Sequence, residues 1–187
     1  MSIAKGPRIK GNIIRVWASA IEKAGLMPRI QSRLSKETLE VLRKPPLAGS
    51  WTAVTPLAEL FLAVHDVCGR DAALKFARQT TRDIAPFYTG MIGGLLRLFG
   101  TSPASLFSRL NELIKQTMDG LEYRWQSTGD RSGTIEIFYP AGSMVQSAQF
   151  LNFIPTIEMM FELCKVKGTV SDPTATSDRS AKFTVGW

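Results

Sequence analysis

One histidine, His65, and two cysteines, Cys68 and Cys164, are the whole supply of imidazole and thiol in this 187-residue chain. A histidine-rich metal centre and a catalytic histidine pair are thereby excluded, and a disulfide framework is limited to one bond. Both cysteines lie in apolar helical patterns, where a thiol packs as a small hydrophobe, so both are expected reduced. His65 and Cys68 are spaced i and i+3, which leaves open a zinc set of His65, Cys68 and Cys164, but packing accounts for all three and no metal is expected. Long apolar runs are also missing. The best, FYTGMIGGLLRLFG from Phe87 to Gly100, is shorter than the roughly 18–20 residues a bilayer span needs and contains Arg97. The start, MSIAKGPRIKG, lacks a secretory apolar segment, so a cytoplasmic location is expected. The signatures Gly-x-Ser-x-Gly, Gly-x-x-x-x-Gly-Lys and Gly-x-Gly-x-x-Gly are absent, and the close carboxylates Glu37 and Glu40 fall on a solvated helix. No catalytic residue is identified, and a non-catalytic role is expected.

Charge is unevenly placed. Residues 1–44 hold ten basic and three acidic side chains, an excess equal to the chain's net charge of +7, while the remainder balances. Arg29, Arg33, Arg43 and Lys44 are the partner-binding candidates within this stretch, suited to an acidic or phosphate-bearing surface; a solvated face with no partner accounts for the same charge. Nucleic acid is not expected, because no basic recognition helix follows a turn and no aromatics interleave with the cations. Trp17, Trp51 and Trp187 are candidate anchors for a protein partner or a homodimer, with core burial as the plainer assignment.

The periodicity predicts an α+β chain, read as a single domain over 1–187: a basic flexible N-terminus (1–10), a mainly helical half (11–120), and an antiparallel sheet with an intervening helix (121–187). Ile13, Trp17 and Ile21 share one face of a first helix that ends at Gly25, and Ser35 caps a short helix stopped by KPP. Thr55 with Pro56 opens a helix closed by Gly69, and another runs from about Asp71 to Asp83. A glycine-containing helix from Phe87 follows, then one continuous helix in TSPASLFSRLNELIKQTMDG. Beyond Gly120 the period falls to two, giving strands around Leu121–Trp125 and Ile135–Tyr139; a second hairpin pairs Thr169–Val170 with Phe183–Trp187. Between the hairpins, the helix from about Ser147 to Lys165 has one apolar stripe of Ile154, Ile157, Met160, Phe161 and Cys164 and another of Met159, Leu163 and Val166. One stripe suffices for a surface helix, so this helix is expected to lie between a four-stranded sheet and the helical half, and to stop at Gly168.

That order of elements, with FYP ending the first hairpin, FLNFIPTIEMMFELCKVKG in the helix and AKFTVGW as the last strand, resembles the heme-nitric-oxide-binding-like superfamily. The superfamily includes vinyl-reductase-type ligand-binding domains and vesicle-tethering subunits, and the chain is most similar in it to a bacterial family of unknown function and about this length. The resemblance implies a sensor or assembly module whose apolar cavity, between helices and sheet, holds heme, an aromatic effector or an acyl chain. A heme-type member would carry a proximal histidine and a Tyr-x-Ser-x-Arg clamp, whereas this chain has only His65 and no clamp. A vinyl-reductase-type sensor would hold zinc on clustered cysteines, of which only Cys164 falls near the hairpins; an acyl-bearing cysteine would be Cys68 by position. No cofactor, neither heme nor zinc, is therefore expected. The expected function is binding of an apolar small molecule or acyl chain in a cavity lined by Phe87, Met91, Leu95, Phe150, Phe153, Met159 and Met160, with a ligand-free interaction or dimerisation module as the alternative.

Overall fold

A computed structural model of the chain describes residues 6–87, Gly94 and 102–187. Ile13, Ile14, Trp17 and Ile21 bury one face of helix α1 (Gly11–Lys23), and Gly25, at φ +61°, turns the chain out of it. Helix α2 (Met27–Ile30) leads through a short 3-10 turn to Ser35, whose hydroxyl accepts the Thr38 N–H and so caps α3 (Lys36–Arg43). Helix α4 (Thr55–Cys68) starts one residue earlier than expected: Val54 is its N-cap and Thr55 lies inside, ahead of Pro56. Gly69 at φ +83° separates α4 from α5 (Arg70–Ile84), and a 3-10 turn ends at Phe87.

The expected continuous helix after Ser102 is broken into α6 (Pro103–Phe107) and α7 (Leu110–Ile114). Ser102 does cap it, but the Ser108 hydroxyl donates to the Ser105 carbonyl and Arg109 leaves helical geometry at φ −116°, ψ 14°. The N-terminus is corrected too. Arg8–Lys10 form β1, the centre of a small antiparallel sheet between β2 (Trp51–Ala53) and β3 (Met118–Asp119). Strands this short show no period-two pattern, so only the burial of Ile9 fixes which side faces the core.

The larger sheet runs β4 (Glu122–Gly129), β5 (Ser132–Phe138), β8 (Ser180–Gly186), with antiparallel pairing throughout. Its far edge is shared: β6 (Thr169–Val170) pairs with one end of β8 and β7 (Thr174–Ser177) with the other. The sheet is four positions wide, as expected, but has five strands. Strand β7, TATS, is exposed at every residue and so carries no alternation to read. Ile135, Ile137, Ala181, Phe183 and Val185 point from β5 and β8 into the core.

Over that face lies a 3-10 segment, Ser147–Phe153, continuing into α8 (Ile154–Leu163). Ile157 turns to Ile135 and Ile137 of the sheet, while Phe161 meets Phe107 of α6 edge to face at 5.5 Å and Trp187 at 6.2 Å. The other side packs on α5, where Arg78 grips Glu158 bidentately at 2.7 and 2.8 Å and Arg82 reaches Glu162 at 3.1 Å. Both faces are thus covered, and buried residues from Ile9 to Val185 form one contiguous core. Helix α8 does not wait for Gly168 to stop: Lys165 takes the left-handed conformation at φ 57°, and the Val166 N–H closes on the Phe161 carbonyl. Gly168 is needed for another reason, since a Cβ there would stand 2.4 Å from the Phe161 ring.

Candidate functional site

Where α1, α5, α8 and the small sheet meet, packing leaves a cavity of about 120 Å³. Ile9 of β1, Ile13 and Trp17 of α1, and Leu57 of α4 form one wall; Thr81 and Ile84 of α5 form the next. Leu113, Ile114, Thr117 and Met118 close the side before β4, and Tyr123 contributes from β4 itself. Asn152, Phe153, Thr156, Met159 and Met160 complete it along one face of the 3-10 segment and α8. Trp17 is held by Phe76 of α5, edge to face at 5.3 Å. Tyr123 is fixed by Asn111 of α7, whose amide pairs both its backbone N–H, at 2.8 Å, and its carbonyl, in place of a neighbouring strand.

Tyr123 is 5% exposed and its hydroxyl reaches only the Met118 sulfur, at 3.9 Å. Burial pushes its ionisation well above the ordinary phenol value, and the neighbouring Tyr139 adds to this, so the group stays neutral. No charged side chain lines the cavity among the described residues. The described lining offers shape, apolar surface and a few neutral hydrogen-bonding groups.

Of the expected lining, Phe153, Met159 and Met160 are at the cavity. Phe150 is not: its ring packs edge to face on Tyr139 at 5.6 Å, one step toward the end of the sheet. Phe87 is 62% exposed at the end of its 3-10 turn, and Met91 and Leu95 lie outside the described residues. Ile9, Trp17 and Tyr123 are missed as lining because Ile9 falls in a stretch expected to be flexible, Trp17 reads as a helix-face residue and Tyr123 as a strand residue; Ile13 and Trp17, spaced i and i+4, signal a wall but not a void behind it.

The metal set does not assemble. His65 sits on α4 away from the cavity, its Nδ1 3.2 Å from the Asp66 carboxylate, Cys68 is half-buried at the helix end, and Cys164 is buried past the end of α8. Among the described residues no three histidine, cysteine or carboxylate side chains converge on a point. Arg29, Arg33, Arg43 and Lys44 are all exposed on α2, the adjoining turn and α3. Nearby, Trp51 carries Lys10 over its ring at 4.2 Å, and Leu47 is 80% exposed. No helix among the described residues is long and apolar enough to cross a membrane.

Helices packed over one face of an antiparallel sheet, with an apolar cavity between them, define an α+β fold. Among solved structures the chain has an H-NOX-like fold. It matches the Fe(II) unliganded H-NOX protein from K. algicida with TM-score 0.68 at 11% identity, over 95% of this chain and 96% of that one. It matches an oxygen-binding H-NOX domain related to soluble guanylate cyclases with TM-score 0.55 at 11% identity, over 95% and 94%. A third structure, described by heme redox potential and porphyrin distortion, gives 0.58 at 10% identity, over 96% and 100%. No family model and no curated protein matches the chain.

The expectation of no cofactor is corrected by these neighbours: the fold is shared with heme domains, so the lack of a heme motif no longer implies the lack of a cofactor. The cavity as it stands does not fit a heme. Its ~120 Å³ matches a single six-membered ring, by comparison with the roughly 150 Å³ cavity that takes one benzene, and the chain's one histidine does not border it.

Proposed function

We propose that this chain is a non-catalytic sensor domain that binds an apolar small molecule in the cavity between α1, α5 and α8. The observation that carries the reading is the void itself, walled by Trp17, Leu113, Phe153, Met159 and Met160 at the junction of helices and sheet. Interiors are packed to crystal density, and a void of this size forfeits contacts that a ligand restores. The cavity touches both the helical half and α8, so a ligand there favours one relative placement of the two, which is how binding becomes a signal. The kinship with vinyl-reductase-type domains and vesicle-tethering subunits belongs to this proposal through the same property, an apolar chamber. A cytoplasmic location belongs to it too, consistent with the unpaired Cys68 and Cys164.

Two titrations of the purified chain test the reading: hemin, followed by its Soret absorbance, and benzene or toluene, followed by calorimetry. Saturable binding of benzene or toluene, lost when Leu113→Trp fills the cavity, supports it; hemin binding in place of these overturns it. If neither binds, and native mass spectrometry finds no retained small molecule, the reading is wrong.

A second reading, an interaction surface for a protein partner or a second copy, is favoured by the exposed Leu47 and by Trp51 with Lys10 over its ring. Light scattering across protein concentration tests it against a monomer.

A further inference from the structure

Neutral polar side chains interrupt the apolar lining at several points, and two of them stand together. Asn152 and Thr156 lie one helical turn apart on the same face, and neither side chain hydrogen-bonds to any described residue. Tyr123, across from them on β4, has only a thioether within reach of its hydroxyl. Asn152 and Thr156 are half-buried, and both border the cavity. Polar groups around a cavity bond to whatever occupies it, water or ligand. Asn152 offers both a donor and an acceptor, and the two hydroxyls offer both as well.

The geometry points to a specific ligand class: a neutral, single-ring molecule carrying one hydrogen-bonding group, its ring against Trp17, Leu113 and Met159 and its polar group read by Asn152, Thr156 and Tyr123. This rests on the cavity reading above. The volume sets the ring size, and the described lining holds no charged residue to offset a carboxylate or ammonium, whose burial without a counter-charge is costly. A purely apolar ring would fill the space but leave these polar groups unpaired, as a site built to hydrogen-bond a hydroxyl disfavours the analogue lacking it.

Calorimetric titration with phenol, toluene and benzoate tests the assignment, on the native chain and on Asn152→Leu and Thr156→Val, with circular dichroism confirming that each variant is folded. Phenol binds, benzoate does not, and the ratio of phenol to toluene affinity falls about tenfold in Asn152→Leu, the size expected for one hydrogen bond. A ratio unchanged in both variants, or benzoate binding as tightly as phenol, overturns the inference while leaving the cavity reading intact. Failure of all three probes to bind the native chain overturns both.

Discussion

The arrangement of α8 can be tested through one contact at its end. The Phe161 ring lies against Gly168, where an added Cβ would meet ring carbons Cγ, Cδ1 and Cδ2 at 2.4 to 2.5 Å. Gly168→Ala therefore forces the ring to move, breaking its edge-to-face contact with Phe107 and its contact with Trp187. Overpacking of this kind costs about 1–3 kcal/mol. Phe161→Ala removes a ring that is 3% exposed and should cost about 3–5 kcal/mol. The two changes share one cause, so they should not add: in the Phe161→Ala background the alanine at 168 enters vacated space and its cost falls to within about 0.5 kcal/mol of zero. Urea denaturation of the four chains, followed by circular dichroism, measures the cycle, with Phe161→Leu replacing Phe161→Ala if the latter is unfolded. An equal cost of Gly168→Ala in both backgrounds would refute the placement of the Phe161 ring against Gly168.

Four further outcomes are expected. Lys165 pays for a left-handed conformation that glycine adopts freely, so Lys165→Gly should raise stability by about 0.5–1 kcal/mol in the same denaturation assay. Asp119 has its carboxyl held below its ordinary value of 3.8 by the hydrogen bond from Arg8. A depressed folded pKa adds stability above the unfolded pKa and loses it as pH falls through the folded one. The gap in stability between the native chain and Asp119→Asn should therefore be largest near neutrality and close below about pH 4. Burial raises the Cys164 thiol, so iodoacetamide on the native chain should label the half-buried Cys68 first, read by mass spectrometry of peptides. Arg78→Met should destabilise more than Arg82→Met, because only Arg78 makes a bidentate, half-buried pair.

The two apolar stripes of α8 were enough to place it between sheet and helices, because a helix cannot leave a second stripe in water. The hairpins were legible for a similar reason: Tyr123 to Trp125 and Ile135 to Tyr139 alternate, and STGDRSG supplies the turn. Local patterns fail where structure is set at long range. Strand β1 exists because Thr52 and Met118, from distant stretches, both pair with Ile9, and β7 exists because β8 has an open edge. The cavity was legible as a mixture of methionine and phenylalanine on α8 but not in its outline. Phe150 and Phe153 look equivalent in sequence and both rings meet Tyr139, at 5.6 and 6.4 Å, yet only Phe153 also borders the void, Phe150 lying three residues farther back along the 3-10 segment. Asn152 and Thr156 gave no signal, since a polar residue on a helix is ordinarily taken to face water.

Crystals of the chain pressurised with xenon would test the central claim most directly, because xenon enters apolar voids without needing a hydrogen bond. An anomalous peak bounded by Trp17, Leu113 and Met159 is predicted, absent from crystals of Leu113→Trp. Side-chain density filling that space, with no xenon peak there in the native chain, would contradict it.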